Sequence, residues 1–239
     1  MVDAAQEDSP ELAELASSLR SSFQTIEDVA YSFVREAIMR GHFRPGQRLP
    51  QDSIGDLLQV SRMPVRAAIR RLEADGLVVF EAHRGATVRT LTAAEINEIY
   101  DLRILVESYL IDRAVDGITD QLLDELLDEL DSIRSETDST VWLNRRNRLY
   151  ERLYETADAP RALAMMLELR TKVGAYLVLR RERSTVVDHV GVLSYLRERD
   201  ANGAKAWIAT HLKEVAEDLE LHVATAFDEV EEPTELNPP

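Results

Sequence analysis

The stretch VSRMPVRAAIRRLEADGL, residues Val60–Leu77, has the pattern of a helix with two unlike faces. Its apolar residues recur at helical spacing and precede a glycine stop: Val65, Ala68, Ile69, Leu72 and then Gly76. Three arginines stand four residues apart on another face: Arg62, Arg66 and Arg70. Like charges at this spacing weaken an isolated helix by roughly a few tenths of a kcal/mol per pair. The pattern therefore indicates a polyanionic partner.

The rest of the chain is acidic, with a formal net charge of −16 over 239 residues. Residues 24–90 nevertheless contain ten arginines against eight acidic residues, whereas residues 91–239 contain 17 basic and 31 acidic residues. A nucleic-acid-binding surface must neutralise phosphates, so the distribution of charge matters more than its sum. We predict a slightly basic module joined near Thr90–Leu91 to a strongly acidic one.

Helix signals surround the opening stretch on its N-terminal side. Residues 24–43 carry an apolar helical face that ends near Gly41, and Ile54, Leu57 and Leu58 mark a short second helix. Only Gln59 and Val60 separate that helix from Ser61, a predicted N-cap, and Pro64 falls in the first turn of the next helix. Two helices joined this tightly make a helix-turn-helix.

Two short β-rich runs follow, LVVF at 77–80 and ATVRT at 86–90, around a basic tip. This pattern predicts a hairpin wing. An arginine face on a surface helix is most often only solvated. The combination of a tight helix pair, an arginine helix and a basic-tipped hairpin favours DNA binding.

These motifs resemble those of a known protein family. PGQRL, VSRMPVRAAIRRLEADGLV and HRGATV resemble the winged helix-turn-helix of the GntR superfamily, and LTAAEINEIYDLRILVESYL is similar to the start of the all-helical, FCD-type ligand-binding domain of its FadR subfamily. Asp52 departs from the family pattern, in which many relatives carry a basic residue. The candidate DNA-binding residues are Arg48, Ser61, Arg62, Met63, Pro64, Arg66, Arg70, His83, Arg84 and Gly85.

The second module is predicted to be helical from its own pattern. Thr92 and Glu95 form a capping box, Thr119 opens a leucine-rich amphipathic helix, and further periodic segments extend to residue 227. The fold class is mainly α: an N-terminal winged helix-turn-helix with a small β-hairpin, then an antiparallel bundle of about six helices. We predict four segments: 1–23 flexible and acidic, 24–90 DNA-binding, 91–227 all-helical for effector binding and dimerisation, and 228–239 a disordered acidic tail.

The resemblance implies a metal site in the bundle, made by an Asp and a His four residues apart and by two later His. His189 and His211 match the later pair, but Arg146 and Tyr150 occupy the earlier positions. A guanidinium cannot bind a cation, and Tyr is a poor ligand at neutral pH. No cofactor is certain, and a weakly bound divalent Zn, Ni or Mn stays open. The candidate effector-binding residues are Arg103, Arg146, Tyr150, His189 and His211.

We hypothesise that the guanidinium of Arg146 takes the place of the positively charged metal ion and binds a carboxylate directly. The alternative is that Arg146 is a solvated residue on the protein surface. The predicted protein is a cytoplasmic, homodimeric transcription factor, most simply a repressor. It binds double-stranded operator DNA and a small carboxylate effector, and it has no membrane segment. The alternatives are an enzyme that uses the His, Tyr and Arg of the bundle for acid–base chemistry, and a structural DNA-bending protein. No nucleophile, metal tetrad or glycine-rich cofactor motif favours the enzyme.

Overall fold

A computed structural model describes residues 10–20, 25–81, 85–181 and 190–228 of the chain. The chain divides into two compact units, Met1–Thr90 and Leu91–Pro239. In the described part of the first unit the elements are α1 (Pro10–Arg20), α2 (Ile26–Met39), α3 (Gln51–Leu58), α4 (Arg62–Ala74), β1 (Val78–Glu81) and β2 (Gly85–Val88).

The core of the first unit forms where α2 packs against α4. The predicted apolar stripe of α4 is fully buried, and α2 contributes its own buried face, including Phe33, Val34 and Ile38. Two polar contacts flank this core: the Tyr31 hydroxyl donates to Asp75 at 2.7 Å, and Arg71 Nη1 donates to Asp28 at 3.0 Å. Because one side of α4 is used for packing, its other side is left for solvent.

The N-terminal segment differs from expectation. Residues 1–23 were predicted to be flexible, but this is wrong for residues 10–20, which form α1. Leu12, Leu15 and Ala16 of this helix are buried, and the helix packs against α2 and α3. The acidic residues of α1 occupy its exposed face, and the apolar residues form a short stripe on the other face. Burial of this stripe offsets the conformational entropy that is lost when the helix forms.

The hairpin is antiparallel, with Val78 opposite Val88 and Glu81 opposite Gly85. Residues 46–49 run beside β2: Leu49 donates its backbone N–H to Ala86 at 2.8 Å, and Val88 donates to Gln47 at 2.8 Å. Arg48 forms an isolated bridge with Thr87. The wing is therefore anchored to the segment that precedes α3.

In the second unit the described residues form seven helices rather than about six. They are α5 (Ala93–Ala114), α6 (Asp120–Arg134), α7 (Ser139–Glu155), α8 (Pro160–Lys172), α9 (Gly174–Arg181), α10 (Val190–Arg197) and α11 (Ala201–Asp228). The extra helix arises because the apolar segment 160–183 is interrupted at Val173, which gives α8 and α9. Residues 229–239, most of the predicted disordered tail, lie outside the described residues.

Helix α5 is central in this unit, because it packs against α7, α8 and α11. Its predicted start is confirmed: Thr92 and Glu95 form a reciprocal capping box. Thr119 also caps α6 as predicted, accepting a hydrogen bond from the Leu122 backbone at 3.2 Å. No helix within the described residues is long and apolar enough to span a membrane.

Candidate functional site

The turn between α3 and α4 is tight for an identifiable reason. Gln59 adopts a left-handed conformation with φ of 52°, and Val60 donates its N–H to the Gly55 carbonyl at 2.9 Å. A Cβ atom at Gly55 would lie 3.0 Å from the Val60 carbonyl oxygen, so glycine permits this close approach. The turn fixes the direction in which α4 leaves α3.

Helix α4 presents a basic face at its N-terminal end. Ser61 holds the N-cap position, although its hydroxyl makes no capping hydrogen bond, contrary to the simplest expectation. Pro64 is half-buried in the first turn. The residues exposed on this surface are Ser61, Arg62, Met63, Arg66 and Arg70, with Met63 72% exposed.

The arginines of this face differ in their surroundings. Arg62 lies 3.4 Å from Asp52, and both side chains are exposed. Arg70 donates to Glu73 at 2.8 Å and stacks 4.0 Å from the Phe80 ring centroid. Arg66 is exposed and has no ion pair or hydrogen bond with any side chain in the described part of the protein. Arg66 is consequently the guanidinium best placed to bind phosphate or a base edge.

The hairpin adds a second basic position. Arg48 is exposed, and its Nε lies 3.9 Å from where a Cβ at Gly85 would be. Gly85 itself has a φ of 82°, a conformation that L side chains rarely adopt. His83 and Arg84 lie outside the described residues. Arg48 and Gly85 are thus neighbours at the start of β2.

A second polar cluster lies inside the helical unit. Arg103 and Glu107 on α5 are 2% and 0% exposed, Arg146 on α7 is 5% exposed, and Arg170 on α8 is 2% exposed. Such groups are almost never fully buried unless paired. Since α5, α7 and α8 pack against one another, their charged side chains meet in the interior.

Glu107 is the acidic centre of this cluster. It accepts from Arg103 Nε at 3.0 Å through Oε1 and from the Tyr154 hydroxyl at 3.0 Å through Oε2. Burial opposes the charge of Arg103, but Glu107 more than offsets this and leaves the pKa of Arg103 raised. Burial and then the Glu107 charge hold the pKa of Tyr154 well above its ordinary value, so this hydroxyl stays a donor.

The aromatic rings of the cluster orient its guanidiniums. Arg170 lies 4.1 Å from the Tyr150 ring centroid, and Arg146 lies 5.2 Å from the Trp142 ring centroid. Burial, followed by repulsion from Arg103 and Arg146, lowers the pKa of Arg170 to about 10. The positive charges of Arg103 and Arg146 thus act on Arg170 inside the same interior.

Comparisons with known proteins identify a known domain in each of the two units. The model of the family described as "Bacterial regulatory proteins, gntR family" matches residues 25–88, and the FCD domain model matches residues 98–214. The chain belongs to the GntR family. It is a DNA-binding transcriptional regulator with a GntR domain followed by an FCD domain, which confirms the predicted family and fold class.

Two curated relatives and one solved structure illustrate the likeness. The transcriptional regulator YdhC of Bacillus subtilis is 23% identical over 79% of this chain and 88% of its own length. The transcriptional repressor RspR of Escherichia coli is 24% identical over 82% of this chain and 90% of its own. The crystal structure of a GntR regulator from Rhodococcus sp. RHA1 is 27% identical, covers 84% of this chain and 98% of its own, and has a TM-score of 0.61.

The predicted effector residues of this GntR-family regulator lie in different parts of the helical unit. Arg103, Arg146 and Tyr150 fall in the buried cluster, so Arg146 is not a solvated surface residue. His211 is buried on α11, where its ring stacks on Trp207 with centroids 4.9 Å apart. His189 lies outside the described residues, and no group of three or more His, Cys, Asp or Glu suited to a metal occurs among the residues that are described.

Sequence reasoning missed Arg170 and Glu107. Both occupy core positions of amphipathic helices: Glu107 lies between the buried residues Arg103 and Leu110, and Arg170 follows buried Met166 by four residues. A charged residue in register with an apolar stripe was the available signal. It is easily overlooked, because a long basic side chain at such a position often extends to solvent.

We predict that Arg66→Ala abolishes specific operator binding and leaves the fold intact. A bidentate arginine contact to guanine contributes about 1–3 kcal/mol to the discrimination between bases. An arginine contact to phosphate contributes to the binding of every sequence, so its loss weakens binding to all of them. Binding is measured by fluorescence anisotropy on an operator obtained by selection from random duplexes. Arg161→Ala, which removes an exposed arginine of α8, is the control. Operator affinity equal to the parent's in moderate salt contradicts the placement of α4.

We further predict that Asp52→Asn tightens DNA binding. Asp52 lies 3.4 Å from Arg62 on an exposed surface, where it offsets positive charge that would otherwise meet phosphate. The expected gain in affinity is about two- to fivefold, the size of one exposed charge interaction, and it shrinks as salt increases. Glu27→Gln, which neutralises an exposed carboxylate of α2, serves as the matched control. Weaker binding by Asp52→Asn would mean that this carboxylate supports the fold of α3 instead.

Proposed function

We propose that this regulator is a homodimeric repressor whose affinity for its operator is changed by a small organic anion bound in the helical unit. The buried cluster of Arg103, Arg146 and Arg170 is the observation that carries the proposal. The repressor assignment is supported by the relative RspR, which is named a repressor. A regulator that binds operator DNA works where that DNA is, so the proposed location is the cytoplasm.

The chemistry of the cluster favours an anion. Guanidinium groups are planar, always charged at neutral pH, and match a carboxylate with two parallel hydrogen bonds. Arg146 is held on α7 against Trp142, and Tyr150, one turn later on the same helix, keeps its proton because burial raises its pKa. Arg146 and Tyr150 therefore offer a cation and a neutral donor on one face of α7.

The residues present do not fit a divalent metal at this cluster. Arg103, Arg146 and Arg170 repel a cation, and Glu107 already accepts hydrogen bonds from Arg103 and Tyr154. In our proposal the charge that a metal would supply to hold a carboxylate comes from arginine instead. His211 contributes a buried imidazole on a different helix, and we assign it no metal.

A catalytic role for the helical unit is the weaker candidate. General acid–base catalysis needs groups whose pKa lies near the working pH. In the cluster, burial raises the pKa of Tyr150 and Tyr154, and the lowered pKa of Arg170 is still about 10. These groups hold charge and donate hydrogen bonds at neutral pH, which suits binding.

The homodimer is proposed on symmetry. One small winged module contacts few base pairs, and two-fold operators pair with two-fold proteins. Helix α5 also carries exposed apolar residues at helical spacing: Leu102, Leu105 and Tyr109. An exposed apolar stripe of this kind is typical of a subunit contact.

We predict that light scattering at micromolar concentration gives the mass of two chains. Leu105→Glu, which places a charge in the α5 stripe, is expected to shift the protein towards monomer and to weaken operator binding. Asn97→Glu, which adds a charge at an exposed position of the same helix before the stripe begins, is the control. If the parent is a monomer in solution and also binds operator as a single chain, the proposed dimer is wrong.

We also predict that an organic acid weakens operator binding by the parent and that Arg146→Ala loses this response. Organic acids are screened by thermal shift with and without chelator, and the active acids are added to operator-binding assays. Arg148→Ala, which removes an exposed arginine of α7, is expected to behave as the parent. A full response in Arg146→Ala, or a response that chelator abolishes, would replace the arginine site with a metal site.

A further inference from the structure

Met63 lies uncovered in the first turn of α4. It is 72% exposed, more than any other large apolar residue in the described part of the chain. A single exposed apolar residue is common on protein surfaces and by itself indicates nothing. Met63 differs in its position, because it stands between the exposed arginines Arg62 and Arg66 on the helix that follows the tight turn.

The direction of the Met63 side chain follows from helix geometry. Successive residues of an α-helix are rotated by about 100° about its axis, which places Met63 roughly opposite the middle of the buried stripe of α4. That stripe consists of Val65, Ala68, Ile69 and Leu72. Ala67, one turn after Met63 on the same side, is small and half-buried. Met63 therefore projects away from the core of the first unit.

The charged groups on either side of Met63 are engaged with carboxylates. Arg62 lies 3.4 Å from Asp52 across the turn, and Arg70 donates to Glu73 at 2.8 Å further along α4. A long arginine side chain often covers an apolar neighbour. Here both guanidiniums are directed to acidic partners, and Met63 keeps its exposure.

The first turn of α4 is also the end of the helix that suits an approach to DNA. Residues 61–65 contain no acidic side chain, and the N-terminus of a helix attracts phosphate. In helix-turn-helix proteins the N-terminal residues of the second helix contact base edges in the major groove. A side chain that projects from this turn, away from the core, is therefore placed against base edges.

An apolar side chain suits one base in that groove. All four bases present hydrogen-bonding groups there, but only thymine also presents a methyl group, at C5. Met63 has no strong donor or acceptor, so against another base it would leave a polar edge without the partner that water had provided. Its unbranched chain and polarisable sulfur adapt readily to a neighbouring methyl group.

We infer that Met63 contacts the C5 methyl group of a thymine in the operator and makes the protein select that base. The inference goes beyond the proposed function, because it depends on DNA binding and neither on the effector nor on the dimer. Arg66 supplies charge beside this contact, and Met63 adds discrimination between bases. The contact is expected to tighten binding about fourfold per thymine, the effect of burying one methyl group.

Uracil tests this contact, because it differs from thymine only in lacking the methyl group. An operator is obtained with the full-length parent by selection from random duplexes, and each of its thymines is replaced in turn by uracil. Fluorescence anisotropy then gives the affinity of each duplex for the parent, Met63→Ala, Met63→Gln and Met165→Ala. Met165 is an exposed methionine of α8 in the helical unit, so its variant is the matched control.

We expect the parent to bind about fourfold more weakly when one particular thymine, or its equivalent in the other half of a symmetric operator, becomes uracil. Met63→Ala is expected to bind the unmodified operator about fourfold more weakly and to bind thymine and uracil equally at that position. Met63→Gln, which has a similar length but a polar end, loses the same distinction. Met165→Ala behaves as the parent does. All three variants keep the melting temperature of the parent, because the side chains that they change are exposed.

Two results overturn the inference. If no change of thymine to uracil weakens binding by the parent, the protein contacts no methyl group. If Met63→Ala distinguishes thymine from uracil as strongly as the parent does, a different residue makes the contact. Since thymine and uracil are compared within each variant, a general loss of DNA affinity or of stability in Met63→Ala does not imitate the expected result.

Discussion

The packing of α4 on α2 is the contact on which the DNA-binding unit depends. Val65, Ala68, Ile69 and Leu72 are excluded from water on one side of α4, so the arginines of the other side must face outward. Hydrophobic burial stabilises the helix against the mutual repulsion of those arginines. The same contact therefore holds the unit together and orients its basic surface.

The helical unit arranges arginine in the opposite way. Arg103, Arg146 and Arg170 lie inside, stacked on aromatic rings. Glu107, which is also buried, accepts a hydrogen bond from Arg103. Burying a guanidinium is unfavourable unless its donors and its charge are satisfied. Under the proposed function, the stability of the helical unit is coupled to the binding of an anion, since a ligand that binds only the folded state stabilises it.

A regulator also has to limit its affinity for DNA. The Asp52 carboxylate beside Arg62 and the Glu73 carboxylate beside Arg70 reduce the positive potential of the α4 surface. Arg66 keeps its full charge available at the centre of that surface. Because non-specific binding follows the number of phosphates neutralised, this distribution lowers attraction to any DNA, and it leaves Arg66 available for the operator contact that we predict.

The sequence alone determined the family, the mainly helical fold and the basic face of α4, because helical periodicity, caps and turn residues are local signals that survive without tertiary context. It also singled out Arg146 and Tyr150, which the structure buries in the helical unit and whose role in effector binding stays a prediction. It did not determine whether α1 folds, because a few buried leucines in an acidic segment become stable only against α2 and α3. Tertiary structure alone joined Arg170 on α8 to Arg103 and Glu107 on α5, since residues more than sixty positions apart meet only when helices pack. Whether a charged side chain points inward or to solvent is decided by that packing, because the side chain itself suits either environment.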